Sequence, residues 1–187
     1  MDGIALMIDE HKNIKRMLAV IRKICFGIMN GKEIDYADFE KIIDFVRNYA
    51  DKTHHGKEEK FLFNRMIDEL GSTAEKLVRY GMLVEHDLGR LYIRELEEGL
   101  ARVKAGDDES KLDVIANAIA YTHLLNRHID KEDKVVYSFA KRELSEETIN
   151  KINTECEEFE KEVKEAGILD KYIQILEKLE HKYMAMF

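Results

Sequence analysis

No proline occurs at any of the 187 positions of this chain. Every backbone N–H is therefore available to a helical ladder, and no pyrrolidine ring clashes with a preceding turn, so nothing forces a long helix to kink or stop. The stops come from glycine and small polar residues instead. Apolar periodicity predicts helices from Ile4 to Met29, from Asp35 or Ala37 to Leu70, from a capping Ser72 to Lys104, and from Glu109 to Glu143. The breaks between them are Asn30-Gly31, Gly71-Ser72 and Ala105-Gly106-Asp107-Asp108. Ser145-Glu146-Glu147-Thr148 reads as a fresh N-terminus, a serine cap followed by acidic residues that suit the helix dipole. Gly167 then divides the remaining tail into two shorter helices.

The expected class is all-α. Short connections make consecutive long helices antiparallel neighbours, so residues 1–143 read as an up-down-up-down antiparallel four-helix bundle and residues 144–187 as two additional C-terminal helices. The apolar positions of that extension (Ile149, Ile152, Phe159, Val163, Leu169, Ile173, Leu176 and Leu179) need a surface to cover, either the bundle or a second copy in a homo-oligomer. Met184 and Met186 read as packing residues or a frayed end.

Charge narrows the partners. A formal net charge of −8, with no basic block, argues against nucleic acid, whose binders concentrate Lys and Arg to displace counterions. No apolar run approaches bilayer length, so no membrane partner is expected. The start, Met1-Asp2-Gly3, lacks the basic and apolar segments of a signal peptide, which makes the cytoplasm the expected location. Cys25 and Cys156 show no metal-ligand spacing and are expected to be free thiols in that reducing compartment.

The chemistry lies in the histidines. In the first helix Ile4, Met7, His11, Ile14, Leu18 and Cys25 recur at three- and four-residue steps, which places His11 on the buried stripe. The second helix carries two His/Glu pairs four residues apart, His54/Glu58 and His55/Glu59. Residues at that spacing share one helix face. Ile43, Val46, Ala50, Phe61 and Leu62 fall in phase with His54 and Glu58, which makes that pair the inward one and leaves His55 and Glu59 to the surface. The fourth helix repeats the device with His128 and Glu132, in phase with Tyr121, Leu125 and Val135. The third offers His86, in phase with Leu83, Ile93 and Leu100. His123, His181 and Asp133 read as surface residues.

One His/Glu pair on a charged helix is ordinarily a solvated ion pair worth a few tenths of a kcal/mol. Four inward histidines and two inward carboxylates are a different matter. Burying them uncompensated costs on the order of several kcal/mol per group, against a stability of roughly 5–15 kcal/mol for the whole fold. A metal centre resolves the conflict by turning these groups into ligands.

His11, His54-xxx-Glu58, His86 within Glu-His-Asp-Leu-Gly-Arg, and His128-xxx-Glu132 resemble the ligand motifs of hemerythrin-like (HHE cation-binding) domains. The flanking His-His-Gly-Lys-Glu-Glu and His-Ile-x-Lys-Glu-Asp stretches are similar to that family too. The resemblance covers roughly residues 1–143; the tail lies outside it. It implies two irons with an oxo or hydroxo bridge, Glu58 and Glu132 spanning both, His11 and His54 on one iron, and His86 and His128 on the other. The chain departs from the five-histidine oxygen carriers, because the positions four before and four after His86 are Met82 and Arg90. Glu132 also follows its histidine by four residues, where those carriers have a more widely spaced aspartate. On this count two iron positions stay open, one more than in such a carrier, which points to ligand chemistry or sensing rather than oxygen storage. Tyr121, two turns from His128, is a candidate hydrogen-bonding neighbour of the site, and Glu85 or Asp87 a candidate partner of His86.

Mixed imidazole and carboxylate donors in a helical bundle favour iron, or second manganese, over a structural zinc. The resemblance implies a non-haem di-iron protein that binds O2, NO or peroxide in sensing or in oxidative and nitrosative stress protection. Two further readings stand beside it. One is an oxidase- or peroxidase-type enzyme fed by an external electron donor, a redox partner protein, since no flavin or nicotinamide fingerprint is visible. The other is a helical interaction module with a vestigial metal site.

Overall fold

In the computed structural model the described residues are 1–184, so Met186 lies outside them. Among them the chain forms six helices: α1 (Gly3–Met29), α2 (36–70), α3 (72–104), α4 (111–143), α5 (Glu146–Glu165) and α6 (Ile168–Met184). A single tight turn, Asp108–Ser110, leads into α4. The architecture is all-helical, with no strand among the described residues, and is consistent with a four-helix bundle carrying two more helices. No helix among them is long and apolar enough to cross a membrane.

Local chemistry sets the helix ends. The Asp2 carboxylate accepts from the Ala5 N–H at 2.9 Å and starts α1; Asp35 accepts from the Asp38 N–H at 3.1 Å and starts α2; Ser145 accepts from the Thr148 N–H at 3.3 Å and starts α5. Ser72 does not cap α3. It is the first residue inside that helix, and Gly71 holds the cap position with φ 65°. One residue joins α2 to α3, and reversing the chain over so short a link needs a positive φ that glycine adopts without a steric penalty.

Apolar side chains gather in two clusters, one at each end of the long helices. The first takes Ile14 and Leu18 from α1, Phe39 and Ile42 from α2, Ile93 and Leu96 from α3, and Val114 and Leu125 from α4. The second takes Ile4 and Met7 from α1, Phe63 and Met66 from α2, Val78 and Met82 from α3, and Val136 and Ala140 from α4. Cys25 sits in the first and Cys156 in the second, both as free, buried thiols. The step from Met7 to Ile14 along α1 passes from one cluster to the other, and His11 lies between them.

The extension covers this core within the same chain. Tyr172, Leu176 and Leu179 of α6 join the first cluster, and Ile152 and Cys156 of α5 join the second. Charged contacts frame the docking, among them Arg16 with Glu180 at 2.5 Å and Lys171 with Asp44 at 2.7 Å. Such half-exposed pairs are worth roughly 0–1 kcal/mol each, so apolar burial holds the extension down.

Four stretches of the long helices are wider than α-helix: Val46–His55 and Glu58–Phe63 in α2, Val78–Met82 in α3 and Glu132–Val136 in α4. Their N–H groups reach back five residues, from Gly56 to the Asp51 carbonyl, from Leu83 to Val78 and from Tyr137 to Glu132. Such a turn holds one residue more than an α turn, so side chains beyond it are rotated relative to α-helical phase. The effect is plain in α4, where Val135, predicted to face inward, is 52% exposed and Val136 is buried in its place.

Leu176 is fully buried at the centre of the α6 contact. Leu176→Ala is expected to lower the unfolding free energy by about 2–5 kcal/mol, through lost transfer energy and a residual cavity. Urea denaturation followed by circular dichroism checks this; a change under about 1 kcal/mol would mean that α6 rests loosely on the core.

Candidate metal centre

Seven side chains fill the layer between the two apolar clusters: His11 from α1, His54, His55 and Glu58 from α2, His86 from α3, and His128 and Glu132 from α4. All are buried, none more than 5% exposed. They fall into two neighbouring groups. In one, donor atoms of His55, His86 and His128 lie within 4.8 Å of one another; in the other, donor atoms of His11, His54, Glu58 and Glu132 do. The carboxylates join the groups. Glu132 lies 3.3 Å from His11 Nε2 and 3.0 Å from His128 Nε2, and Glu58 lies 3.7 Å from His54 Nε2 and 3.5 Å from His86 Nε2.

Each ring is aimed by its other nitrogen. The Nδ1 atoms of His11, His54, His86 and His128 meet Asp133 at 2.7 Å and Glu10, Glu59 and Glu85 at 2.8 Å each, and His55 Nδ1 meets Asp51 at 3.3 Å. A carboxylate on Nδ1 holds the proton there and leaves Nε2 with a free lone pair directed inward. The inner atoms are correspondingly short of partners. Among the described residues six buried side-chain nitrogen or oxygen atoms make no hydrogen bond, and five belong to this layer: His11 Nε2, His54 Nε2, Glu58 Oε2 and both oxygens of Glu132. The Nε2 atoms of His86 and His128 face each other at 3.0 Å.

Burial and crowding divide the protons unevenly. Burial and the adjacent Glu132 push Glu58 well above the usual carboxylate range. Burial also acts on Glu132, but His128, His11 and His86 outweigh it and hold Glu132 well below that range. His128 rises to about 9 because Glu132 and Glu85 overcome its desolvation, whereas burial and the neighbouring imidazoles push His54 down, and His55 down to about 3. Tyr137, kept protonated by burial and by Glu58, donates to Glu58 Oε1 at 2.5 Å and stacks on His11 with ring centroids 5.6 Å apart.

The donors are imidazole nitrogens and carboxylate oxygens, and both cysteines lie out in the apolar clusters. This set suits iron or manganese better than a structural zinc. Convergent, uncompensated lone pairs in a dry interior are what a cation neutralises, so the residues present fit a metal centre. The model of the hemerythrin HHE cation binding domain matches residues 2–140. The chain belongs to the hemerythrin HHE family. Neither a curated protein nor a solved structure matches it. Proteins of this family bind metal ions, typically iron, and this hemerythrin-like chain carries His and Glu groups able to hold one.

Of the residues singled out in the sequence, His11, His54, Glu58, His86, His128 and Glu132 all come together in this layer. His55, expected at the surface, is buried and stacks on His86 with centroids 3.8 Å apart and planes 8° from parallel. The wide turn over Val46–His55 rotates the side chains relative to α-helical phase and brings both consecutive histidines to the inner side of α2. Glu59 and Asp133, also expected to be surface residues, are about one-third exposed and hold His86 and His11. Glu85 orients His128 rather than His86, and Asp87 bonds to Arg90 instead. Tyr121 is buried and makes no bond to His128; it lines a cavity of about 110 Å³ with His55, His86, Gly89 and Arg90. His123 and His181 are exposed, as expected. Glu10, Lys57 and Tyr137 carried no periodic signal that set them apart from ordinary core or surface positions.

In the metal-free protein the proton balance sets a pH slope. His128, with a folded value near 9, adds stability that is present below its ordinary value of 6.5 and lost as pH rises through 9. Glu58, raised by burial, works in the same direction. His54 and His55, depressed by burial, stop contributing a slope once pH exceeds the ordinary imidazole value of 6.5. The metal-free protein is therefore expected to unfold at lower urea at pH 9 than at pH 7, and a midpoint that rises over this interval would contradict the assignment.

Proposed function

We propose that this chain is a non-haem di-iron protein that binds O2, NO or peroxide, in sensing or in protection against oxidative and nitrosative stress. In this reading residues 1–143 form an up-down-up-down bundle that would enclose the metals, and residues 144–187 are a C-terminal extension whose described part, up to residue 184, packs on it. His11 and His54 would hold one iron, His55, His86 and His128 would hold the other, and Glu58 and Glu132, which reach both groups of histidines, would serve the pair. One observation carries the assignment: nearly all the unpaired buried polar atoms among the described residues meet in a single layer, and each histidine there is already oriented by a carboxylate behind it. Five rings, each tied at Nδ1 by a carboxylate, are costly to arrange and serve no purpose as core packing.

When bound, a pair of irons supplies the ferrous–ferric redox change and an exchangeable position for a small oxygen or nitrogen ligand. The chain's residues do the rest. The five carboxylates on Nδ1 strengthen the imidazoles as donors, Tyr137 fixes Glu58, and the two apolar clusters exclude water from above and below. His55, grouped with His86 and His128, would fill one of the two iron positions that the sequence leaves open, so one would remain, as in the five-histidine oxygen carriers. Small-ligand binding at a single exchangeable position is thus the reading the site supports best.

Anaerobic loading with ferrous iron is expected to give about two irons per chain, with an oxo-bridged diferric absorption spectrum after exposure to air. Glu58→Ala and Glu132→Ala should each abolish the spectrum, and His55→Ala should retain about one tightly held iron. Metal content well under one per chain in the unaltered protein would overturn the proposal.

A further inference from the structure

Four of the five carboxylates that hold a histidine of the centre are a fifth to a third exposed: Asp51, Glu59, Glu85 and Asp133. Glu10, which holds His54, is not. Its side chain is only 6% exposed, and solvent cannot compensate its charge. Lys57 does so, donating to Glu10 Oε1 while Glu10 Oε2 meets His54 Nδ1 at 2.8 Å. Lys57 is itself fully buried, a state that an ammonium tolerates only when its donors are satisfied by opposite charge. Its second carboxylate is Glu160 on α5, which lies outside the residues matched by the family. Phe159 closes the site, its ring centroid 5.8 Å from the Lys57 ammonium and 5.9 Å from the Phe61 ring. Glu160, with 13% of its side chain exposed, is where this line of charge reaches the protein's edge.

We propose that Glu160 of the C-terminal extension is a positioning residue for the metal centre, holding Lys57 so that Glu10 keeps the His54 ring in its metal-binding orientation and tautomer. The inference rests on the di-iron reading above. Remove the Glu160 carboxylate, and Lys57 keeps one charged partner inside a dry interior. The ammonium then shifts toward water and draws the Glu10 carboxylate with it, and His54 loses the acceptor that holds its proton on Nδ1. The extension is on this view part of the site as well as a cover for apolar surface.

The test uses the full chain with Glu160→Ala, with Glu158→Ala at an exposed position of the same helix as the control. In the metal-free protein, the downfield Nδ1–H resonance of His54, observed with 15N-labelled histidine, should be lost or broadened in Glu160→Ala and kept in the control. Ferrous iron affinity should fall about ten-fold or more at one of the two sites, the usual consequence of losing a partner behind a ligand. Lys57→Met should give a similar loss, and Glu160→Ala should add nothing to it, because both act through the same contact. Losses that add in the double variant would overturn the proposal in favour of simple helix docking. So would a Glu160→Ala protein with the original His54 resonance and iron affinity, and that result would leave the di-iron reading standing. An unaltered protein that takes up no iron would overturn both.

Discussion

Imidazole presents two nitrogens, and a buried ring can serve a cation with one only if the other is tied down. Five carboxylates do this here. Asp133, Glu10, Asp51, Glu59 and Glu85 take the Nδ1 side of His11, His54, His55, His86 and His128, and the Nε2 side of each ring is left to the interior. The remainder of the structure follows from having to hold those five contacts in register. Each one bridges two helices or spans one turn of a single helix, so the positions of α1 to α4 along their axes are set by polar contacts as much as by apolar packing. A slip of one turn, about 5.4 Å, would break several of them at once.

The apolar clusters on either side make the layer dry, and dryness gives it its chemistry. In water, two carboxylates and five imidazoles would titrate near their ordinary values. Between the clusters, burial and the adjacent Glu132 drive Glu58 toward its neutral form, while the neighbouring imidazoles outweigh burial and hold Glu132 in its charged form. The metal-free arrangement is therefore frustrated, with unpaired atoms of His11, His54, Glu58 and Glu132 facing one another. That frustration costs fold stability and is relieved by a cation, which couples metal uptake to the folded state.

The two C-terminal helices fit this logic in different ways. α6 extends the first apolar cluster through Tyr172, Leu176 and Leu179, and its role is burial. α5 also contributes to burial through Ile152 and Cys156, but it brings a charge, Glu160, to a lysine that no solvent reaches. A buried ammonium between two carboxylates is a poor way to gain stability compared with apolar side chains of similar volume. Its place directly behind the partner of His54 gives it a chemical rationale.

Much of this was legible in the residues themselves. The lack of proline, the glycine-marked breaks and the apolar periodicity were enough for an all-helical fold with six helices, and four-residue spacing placed His54 with Glu58 and His128 with Glu132, because an α-helix stacks such residues on one face. What the sequence could not express was departure from α-helical phase. His55 faces inward and Val135 outward because turns closed by five-residue hydrogen bonds rotate their side chains, and such turns leave no mark in a hydrophobic pattern read at a fixed period. Nor could it pair Glu85 with His128, or Glu10, Lys57 and Glu160 with His54, across 43 to 103 positions of sequence. One-dimensional spacing determines which side chains share a face of one helix; only the packing of helices against each other decides which charges meet between them.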